Sequence, residues 1–412
     1  MATAEVWKPA PSLPPPRSET GWIGWARVNL FANWLNTLVT LVTIPLILWF
    51  AARLVGWLVG TADWTLITSR PQQYLIGLYP TELAWRPLVG WLLVSVLFGM
   101  AAAMWGGAAR RIAIGYGAVA VLLGVLPYGL FHDGVIMPWW VRGLILANML
   151  TMAVGFGLGK YPRTATPRTF VLGSIAVYVL LLLILNGIPG IPGMEEVAPR
   201  KWGGLMLNLI LAVSGICFAF PIGVLLALGR RSQLPVVKVL CVVFIEVFRG
   251  VPLITLLFMS QVLVPLALPE NFPVDSVTRA AIVITLFSAA YTAENIRGGL
   301  QGLHPGQAEA ARALGLPGWQ VTMLIQLPQA IRNVIPAIVG QFIALFKDTS
   351  LVYIVGMLDI LEMGRSIVQG NVQFADNGRE LMVFVAVVFW LFTYTMSYAS
   401  RRLERHLGVG AR

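Results

Sequence analysis

Residues 309–328 read Glu309-Ala-Ala-Arg312-Ala-Leu-Gly315-Leu-Pro317-Gly-Trp-Gln-Val-Thr-Met-Leu-Ile325-Gln-Leu327-Pro328, a small, polar stretch set between long apolar runs. Its fixed points are Glu309, Ala310 and Ala311, then Gly315, then Ile325, Leu327 and Pro328. Pro305 suits the first turn of a helix, Gly315 its end and Pro317 the start of another, so the spacing predicts a short helix over 305–314, a sharp bend and a second helix. Ala308, Ala310, Ala311 and Ala313 give the first helix a slim surface that a neighbour can approach closely, and Glu309 and Arg312 stand three apart and can pair. The segment reads as a docking loop; an ordinary amphipathic loop would not require the spacing out to Pro328.

The flanking runs set the solvent. Mean hydropathy is +0.78, with 58% apolar and 11% charged residues, against about 25% charged in soluble proteins. Most of the chain belongs in lipid. Cys217 and Cys241 lie in apolar runs and read as small packing residues, not as a disulfide framework. The net charge of +11 could suggest nucleic acid, but in a membrane chain it records basic cytoplasmic loops. The first 33 residues lack the short apolar core and cleavage site of a signal peptide and read as a cytoplasmic tail, whose prolines Pro11, Pro14, Pro15 and Pro16 predict an extended, poorly ordered run.

A bilayer core needs roughly 20 apolar residues of helix. The fold class is therefore an all-α polytopic membrane protein of about ten transmembrane helices, near 35–59, 88–107, 112–131, 140–158, 169–189, 204–229, 237–266, 278–299, 330–356 and 380–400. The seventh is long enough to tilt or break, and Lys347 and Asp348 interrupt the ninth. With the amino terminus inside, the cytoplasmic segments collect Lys8, Arg17 and Arg27; Arg110 and Arg111; Lys160, Arg163 and Arg168; Arg230, Arg231 and Lys238; Arg297, Arg312 and Arg332; and Arg401, Arg402, Arg405 and Arg412. External segments hold fewer: Arg70, Arg86, Arg200, Lys201, Arg279, Arg365 and Arg379. By the positive-inside rule both termini and the 304–328 loop face the cytoplasm. Trp34, Trp85, Trp139, Trp140 and Trp202 fall near span ends, as interfacial anchors do.

The Glu309 loop resembles the "EAA" coupling loop of the membrane subunits of bacterial ATP-driven (ABC) importers. From Trp202 onward the likeness extends, in order, through Gly204-Leu205, Glu246-Val-Phe-Arg249-Gly250-Val-Pro252-Leu253, Ala290-Tyr291-Thr292-Ala293-Glu294 and Lys347-Asp348-Thr349-Ser350-Leu351. It is nearest the permease subunits for polar amino acids. Asn208 and Val251 depart from that pattern, where Thr is commoner. The resemblance implies a type I importer permease core of about five spans over 201–412, an accessory transmembrane region of about five spans over 34–200 and a cytoplasmic tail over 1–33. The long first half resembles the larger permeases of broad-specificity polar amino-acid systems in Gram-negative bacteria, and its few charges, Arg53 and Arg142 among them, suit a scaffold.

What else the resemblance implies is a subunit rather than an enzyme, in the bacterial inner membrane, importing polar or charged L-amino acids. Two ATPase subunits, a second permease chain, non-identical by preference, and a periplasmic amino-acid-binding protein would be its partners. Glu309, Ala310, Ala311, Gly315, Leu327 and Pro328 would couple ATPase closure to the spans. No cofactor would be bound by this chain; ATP and Mg would be used by the partner. The residues themselves agree: the nearest thing to a phosphate loop, Gly159-Lys160, is followed by Tyr161 and has Val154 where a glycine belongs, and His132, His304 and His406 lie too far apart for a metal site.

Ionisable groups within spans are costly and mark function or structural pairs. Glu246 and Arg249, three apart, suit an intramembrane pair, and Gly250 and Pro252 should bend or break their helix; direct substrate contact is the alternative. Tyr291, Thr292 and Glu294 stand within about one helical turn, where Glu294 either lines a pathway or pairs with Arg297. Lys347, Asp348, Thr349 and Ser350 form a polar run inside an apolar one: either a break that offers donors and acceptors to a zwitterion, or a Lys–Asp pair that neutralises itself. A rival of another class is an ion-coupled secondary amino-acid transporter, which would also carry midplane charges. A membrane-embedded enzyme would need clustered His, Asp or Glu at membrane depth.

Overall fold

The computed structural model describes residues 21–125, 139–163, 165–269 and 274–408, and in these ranges the regular structure is helical. The proline run at 14–16, His132 and Arg412 lie outside the described residues. Contacts group the chain into two units that divide after Asp63.

The first unit holds α1 (Gly21–Asn29) and α2 (Trp34–Gly60). The helix α1 lies within the segment read as the amino-terminal tail, downstream of its proline run. Asn33 caps α2 by accepting the Asn36 amide at 2.8 Å, and Thr40 buries its hydroxyl on the Leu30 carbonyl at 2.8 Å. Arg53 lies 5.7 Å from the Trp49 ring, one turn back on α2.

The second unit opens with short helices α3 (Thr65–Thr68) and α4 (Pro71–Ile76), followed by α5 (Trp85–Trp105), α6 (Gly107–Val125), α7 (Trp139–Lys160) and α8 (Pro167–Asn186). It continues with α9 (Gly204–Arg230), α10 (Pro235–Gly250), α11 (Leu253–Ala267) and α12 (Ser276–Gln301). Next come α13 (Pro305–Ala313), α14 (Gly318–Gln320), a π-helical turn (Val321–Gln326), α15 (Leu327–Asp348), a 3-10 segment (Thr349–Val355), α16 (Ile360–Gly370) and α17 (Gly378–Leu407). Among the described residues nine helical stretches are long and apolar enough to span, and α10 with α11 forms a further pair bent by 108°.

The bent pair is one crossing, and the packing of its neighbours shows why. A Cβ on Gly215 would meet Leu345 and Ile284, and one on Gly223 would meet Thr292 at 2.8 Å, while Arg230 reaches Glu294 at 3.4 Å. Residue number rises together along both helices, so α9 and α12 run parallel. The chain must therefore return between them, and α10–α11 makes that return. Gly250 and Pro252 sit at the break: Val251 closes α10 through its amide, and Pro252 precedes α11 without an amide to offer. A bend was expected here and is found.

Close backbone approach holds α5 and α7 together. Lipid tails are as apolar as leucine, so association within a bilayer relies on close packing and interhelical hydrogen bonds. A Cβ on Gly99 would lie 2.0 Å from the Met152 carbonyl oxygen, and one on Gly155 would lie 2.0 Å from that of Val96. Ser95 and Thr151 share a hydrogen bond of 2.5 Å, and Tyr116 donates to Asn148 at 3.1 Å. Pairing of 96 with 155 and of 100 with 159 makes α5 and α7 parallel, with α6 between them in the chain. Tyr178 of α8 hydrogen-bonds Ser214 of α9 and ties this bundle to the rest.

The loops consequently sort to two ends of the second unit. One gathers 105–111, 159–168, 230–235 and 301–327, with the end of α17, where Arg332 donates to the Leu407 carbonyl. The other gathers 64–84, 187–204 and 356–377: Gly77 bridges Trp202, and the Gly204 amide donates to Leu358 O at 2.8 Å. At this second end Arg86 is fully buried, its guanidinium donating to the carbonyls of Gly193 at 2.7 Å and Glu195 at 2.8 Å.

Candidate functional site

The helix α13 begins where Pro305 allows, with His304 as N-cap, its Nδ1 accepting the Gly306 amide at 3.1 Å. It ends at Ala313, and the chain turns at Gly315, whose φ of +80° only glycine adopts freely. Pro317 then caps α14. The helix–bend–helix expected from Pro305, Gly315 and Pro317 is thus present, followed by a π-helical turn that the spacing did not predict. Ala308 and Ala311 are buried against Val321, Leu316 and Ile325, which spends two of the four small residues inside the loop itself. This explains the reach of the spacing: Ile325 is the far wall against which the alanine face packs. Leu327 is buried at the root of α15 and Pro328 sits in its first turn, while Glu309, Ala310, Arg312 and Ala313 remain exposed. Glu309 and Arg312 form no ion pair, contrary to the expectation from their spacing; an exposed pair gains too little in water to fix two long side chains. Leu314 at 83% and Trp319 at 66% exposure complete an outward surface.

Beside this loop's end of the unit, charged groups from three helices converge. Glu294 on α12 is held bidentately by Arg297, Nε donating to Oε2 at 2.9 Å and Nη2 to Oε1. Arg230, the last residue of α9, donates to Glu246 of α10 at 3.0 Å and to Glu294 at 3.4 Å. Arg249 approaches Glu294 at 3.7 Å, lies 5.6 Å from the Tyr291 ring, and its carbonyl accepts from the Tyr291 hydroxyl at 3.4 Å. The expected Glu246–Arg249 pair is therefore corrected: each finds its partner on another helix. Arg249 stands on the last turn of α10, where the break turns it toward α12, while Glu246, a turn earlier, faces the end of α9. The expected Glu294–Arg297 pair is present.

Thr292 does not join this cluster. It is fully buried against Gly223, and its hydroxyl, like that of Ser288 a turn earlier, has no protein partner among the described residues.

The run at 347–350 lies elsewhere and does not break the helix at Lys347: α15 continues to Asp348 and tightens to 3-10 geometry over 349–355. Lys347 is exposed and forms no ion pair with Asp348. Ser350 bonds back to the Lys347 carbonyl at 2.9 Å. Thr349 is fully buried, donating to Phe346 O at 2.7 Å and accepting from Asn208 at 3.1 Å. The second amide hydrogen of Asn208 goes to Asp359 at 3.3 Å, and its oxygen accepts the Ile360 amide at 3.1 Å. Asn208 thus uses both donors and its acceptor to join α9, the 3-10 segment and α16. Asp359 also caps α16 through the Glu362 amide at 2.9 Å; burial pushes its carboxyl up, against the hydrogen bonds from Glu362 and Asn208. At 1.5 Å per residue, Asn208 and Arg230 stand about 33 Å apart along α9, so the polar candidates form two sets at opposite ends of the unit and not one constellation. Arg230 was missed as a site residue because its partners lie on other helices; Asp359 carried a local helix-start signal in Asp359-Ile-Leu-Glu362, but its contact with Asn208 is remote in sequence.

The sequence has known relatives. The family described as "Binding-protein-dependent transport system inner membrane component" matches residues 219–409. The chain is 37% identical, over 97% of its length and 97% of the relative's, to "Inner membrane amino-acid ABC transporter permease protein YhdY" of Escherichia coli (strain K12). It is 35% identical, over 96% of its length and 95% of the relative's, to "Glutamate/glutamine/aspartate/asparagine transport system permease protein BztC" of Rhodobacter capsulatus. A solved amino acid ABC transporter chain shares 28% identity over 49% of this chain and 92% of that one, with a TM-score of 0.44. The chain belongs to the amino-acid ABC importer permeases, as the long form whose likeness runs nearly end to end. It is a multi-pass inner-membrane permease subunit working with ATPase and binding-protein partners, and the ion-coupled alternative is set aside.

Proposed function

We propose that this permease imports polar or charged L-amino acids from periplasm to cytoplasm, driven by ATP and Mg on a partner ATPase. The observation that carries the substrate class is the full-length likeness to a relative named for glutamate, glutamine, aspartate and asparagine transport. In this reading both termini face the cytoplasm, residues 34–200 are an accessory region and 201–412 the core, and a second, non-identical permease chain completes the pathway.

Mechanistically, α13 with Glu309, Ala310 and Ala311 seats in the ATPase. Gly315 provides the bend, and Leu327 and Pro328 join the loop to α15, so that closure of the ATPase dimer moves α15 and, through its packing, α12. The ends of α9, α10 and α12 are fastened by Glu246, Arg249, Tyr291 and Glu294 with Arg230 and Arg297, at the loop's end of the pathway. Lys347, Asp348, Thr349 and Ser350 serve the opposite end. Thr292 lines the α9–α12 seam between them.

Reconstitution with the co-expressed ATPase, the second permease and the binding protein tests the proposal. ATP-dependent uptake should be competed by acidic, amide or basic amino acids and not by apolar ones. Uptake driven by an ion gradient without ATP, or competition by apolar amino acids alone, would overturn it.

A further inference from the structure

Arg110, on the first turn of α6, and Lys160, the last residue of α7, converge on one aromatic ring: the guanidinium lies 5.9 Å and the ammonium 4.8 Å from the centroid of Phe156. Arg111, Arg163 and Arg168 belong to the same end of the accessory bundle, and all five cations are exposed. Among the described residues no carboxylate pairs with any of them. The contrast with the Arg230 cluster is informative. There three arginines are offset by Glu246 and Glu294, whereas here like charges are brought together with no carboxylate paired to them among the described residues. The ring face attracts each cation, but it supplies no net negative charge.

The surroundings define the anion that such a cluster would take. The cluster sits where α5, α7 and α8 end or begin, and the helices rising from it present exposed apolar side chains, among them Ile114, Val154, Leu158 and Leu172. Trp105 and Phe170 pack edge to face at 4.7 Å at the same level, as aromatic residues do at a membrane interface. A ligand that meets both features carries a negative head and an apolar tail. The cluster also lies outside the stretch matched by the family model, 219–409, and so outside the segment that carries the coupling loop. This favours a lipid over an acidic face of the ATPase.

We propose that Arg110 and Lys160, with Arg111, Arg163 and Arg168 around them, form a binding site for the headgroup of an acidic phospholipid at the α5–α8 end of the bundle. The site goes beyond the transport reading and does not depend on the substrate.

Native mass spectrometry of the complete transporter, eluted from nanodiscs of mixed phosphatidylglycerol and phosphatidylcholine, tests it. Wild type should retain phosphatidylglycerol in preference to phosphatidylcholine. The double variant Arg110→Gln/Lys160→Gln should lose about thirtyfold of that preference, from about 1 kcal/mol per interfacial cation. Thermal unfolding in detergent without lipid should match wild type, and Arg279→Gln, a cation outside the cluster, should keep the preference. Unchanged lipid selectivity in the double variant would overturn the proposal. So would displacement of the retained phosphatidylglycerol by inorganic phosphate, or loss of ATPase subunits from the double variant with lipid retention intact.

Discussion

Arg230, the final residue of α9, donates from Nη1 to Oε1 of Glu246 on α10 over 3.0 Å, and this contact replaces the three-residue pair that the sequence suggests within α10. The pair fastens the last turns of α10 to the end of α9, and Glu294 ties the same arginine to α12.

A double-mutant cycle on Arg230→Gln and Glu246→Gln should give a coupling of about 0.5–1 kcal/mol in thermal unfolding, as for a pair with one partner well exposed. The cycle on Arg249→Gln and Glu246→Gln should give none. Glu294→Gln, which strips the shared carboxylate from three arginines, should cost more than either single change and reduce ATP-driven uptake. A larger coupling between Arg249 and Glu246 than between Arg230 and Glu246 would contradict the arrangement.

Gly99→Ala should destabilise the accessory bundle by about 1–3 kcal/mol, because the added methyl meets backbone of α7 and cannot be accommodated by a rotamer change. Gly157→Ala, with open space around its Cβ, should be neutral or slightly stabilising. Melting curves of the two variants in the same detergent separate them.

Asp359 makes stability depend on pH in a defined sense. Burial raises its carboxyl in the folded chain, and hydrogen bonds from Glu362 and Asn208 oppose that only in part. The native state therefore holds the proton more tightly than the unfolded one. Its contribution is full below the ordinary carboxylate value and is lost as pH rises through the raised value. Asp359→Asn keeps a cap acceptor for α16 and should flatten this dependence, while Asp359→Ala should lose about 1 kcal/mol of capping at all pH values. Thermal unfolding from pH about 4 to about 7 reads both.

Gly315→Ala should strain the turn after α13, at φ +80°, by about 1 kcal/mol. Uptake should fall more steeply than stability, since the turn orients α13. Equal losses in both would remove the argument for orientation.

Much of this was legible because it is written locally. Span positions follow from runs of apolar residues, the break of α10–α11 from Gly250 and Pro252, and the loop's two struts from Pro305, Gly315 and Pro317. What stayed hidden is written across the chain. Gly99 and Gly155 look like ordinary small residues until α5 and α7 are side by side, and Arg230 counted only as one basic residue among many in a loop. The run at Lys347 drew attention by composition, yet its structural weight falls on Thr349 and on Asn208, whose partners are more than a hundred residues away. The helix α16 carries Ile360, Met363, Gly364 and Ile367 on its buried face, a helical spacing that eleven residues between longer spans do little to advertise.

The central claim, that α13 and its bend are a lever facing the ATPase, is tested most directly by sidedness. Leu314, 83% exposed at the end of α13, would be replaced by cysteine in a Cys217→Ala/Cys241→Ala background and treated with a membrane-impermeant maleimide. Labelling in inside-out vesicles, blocked by the assembled ATPase, with none in intact spheroplasts, is the result expected. Labelling from outside in intact spheroplasts would contradict the account.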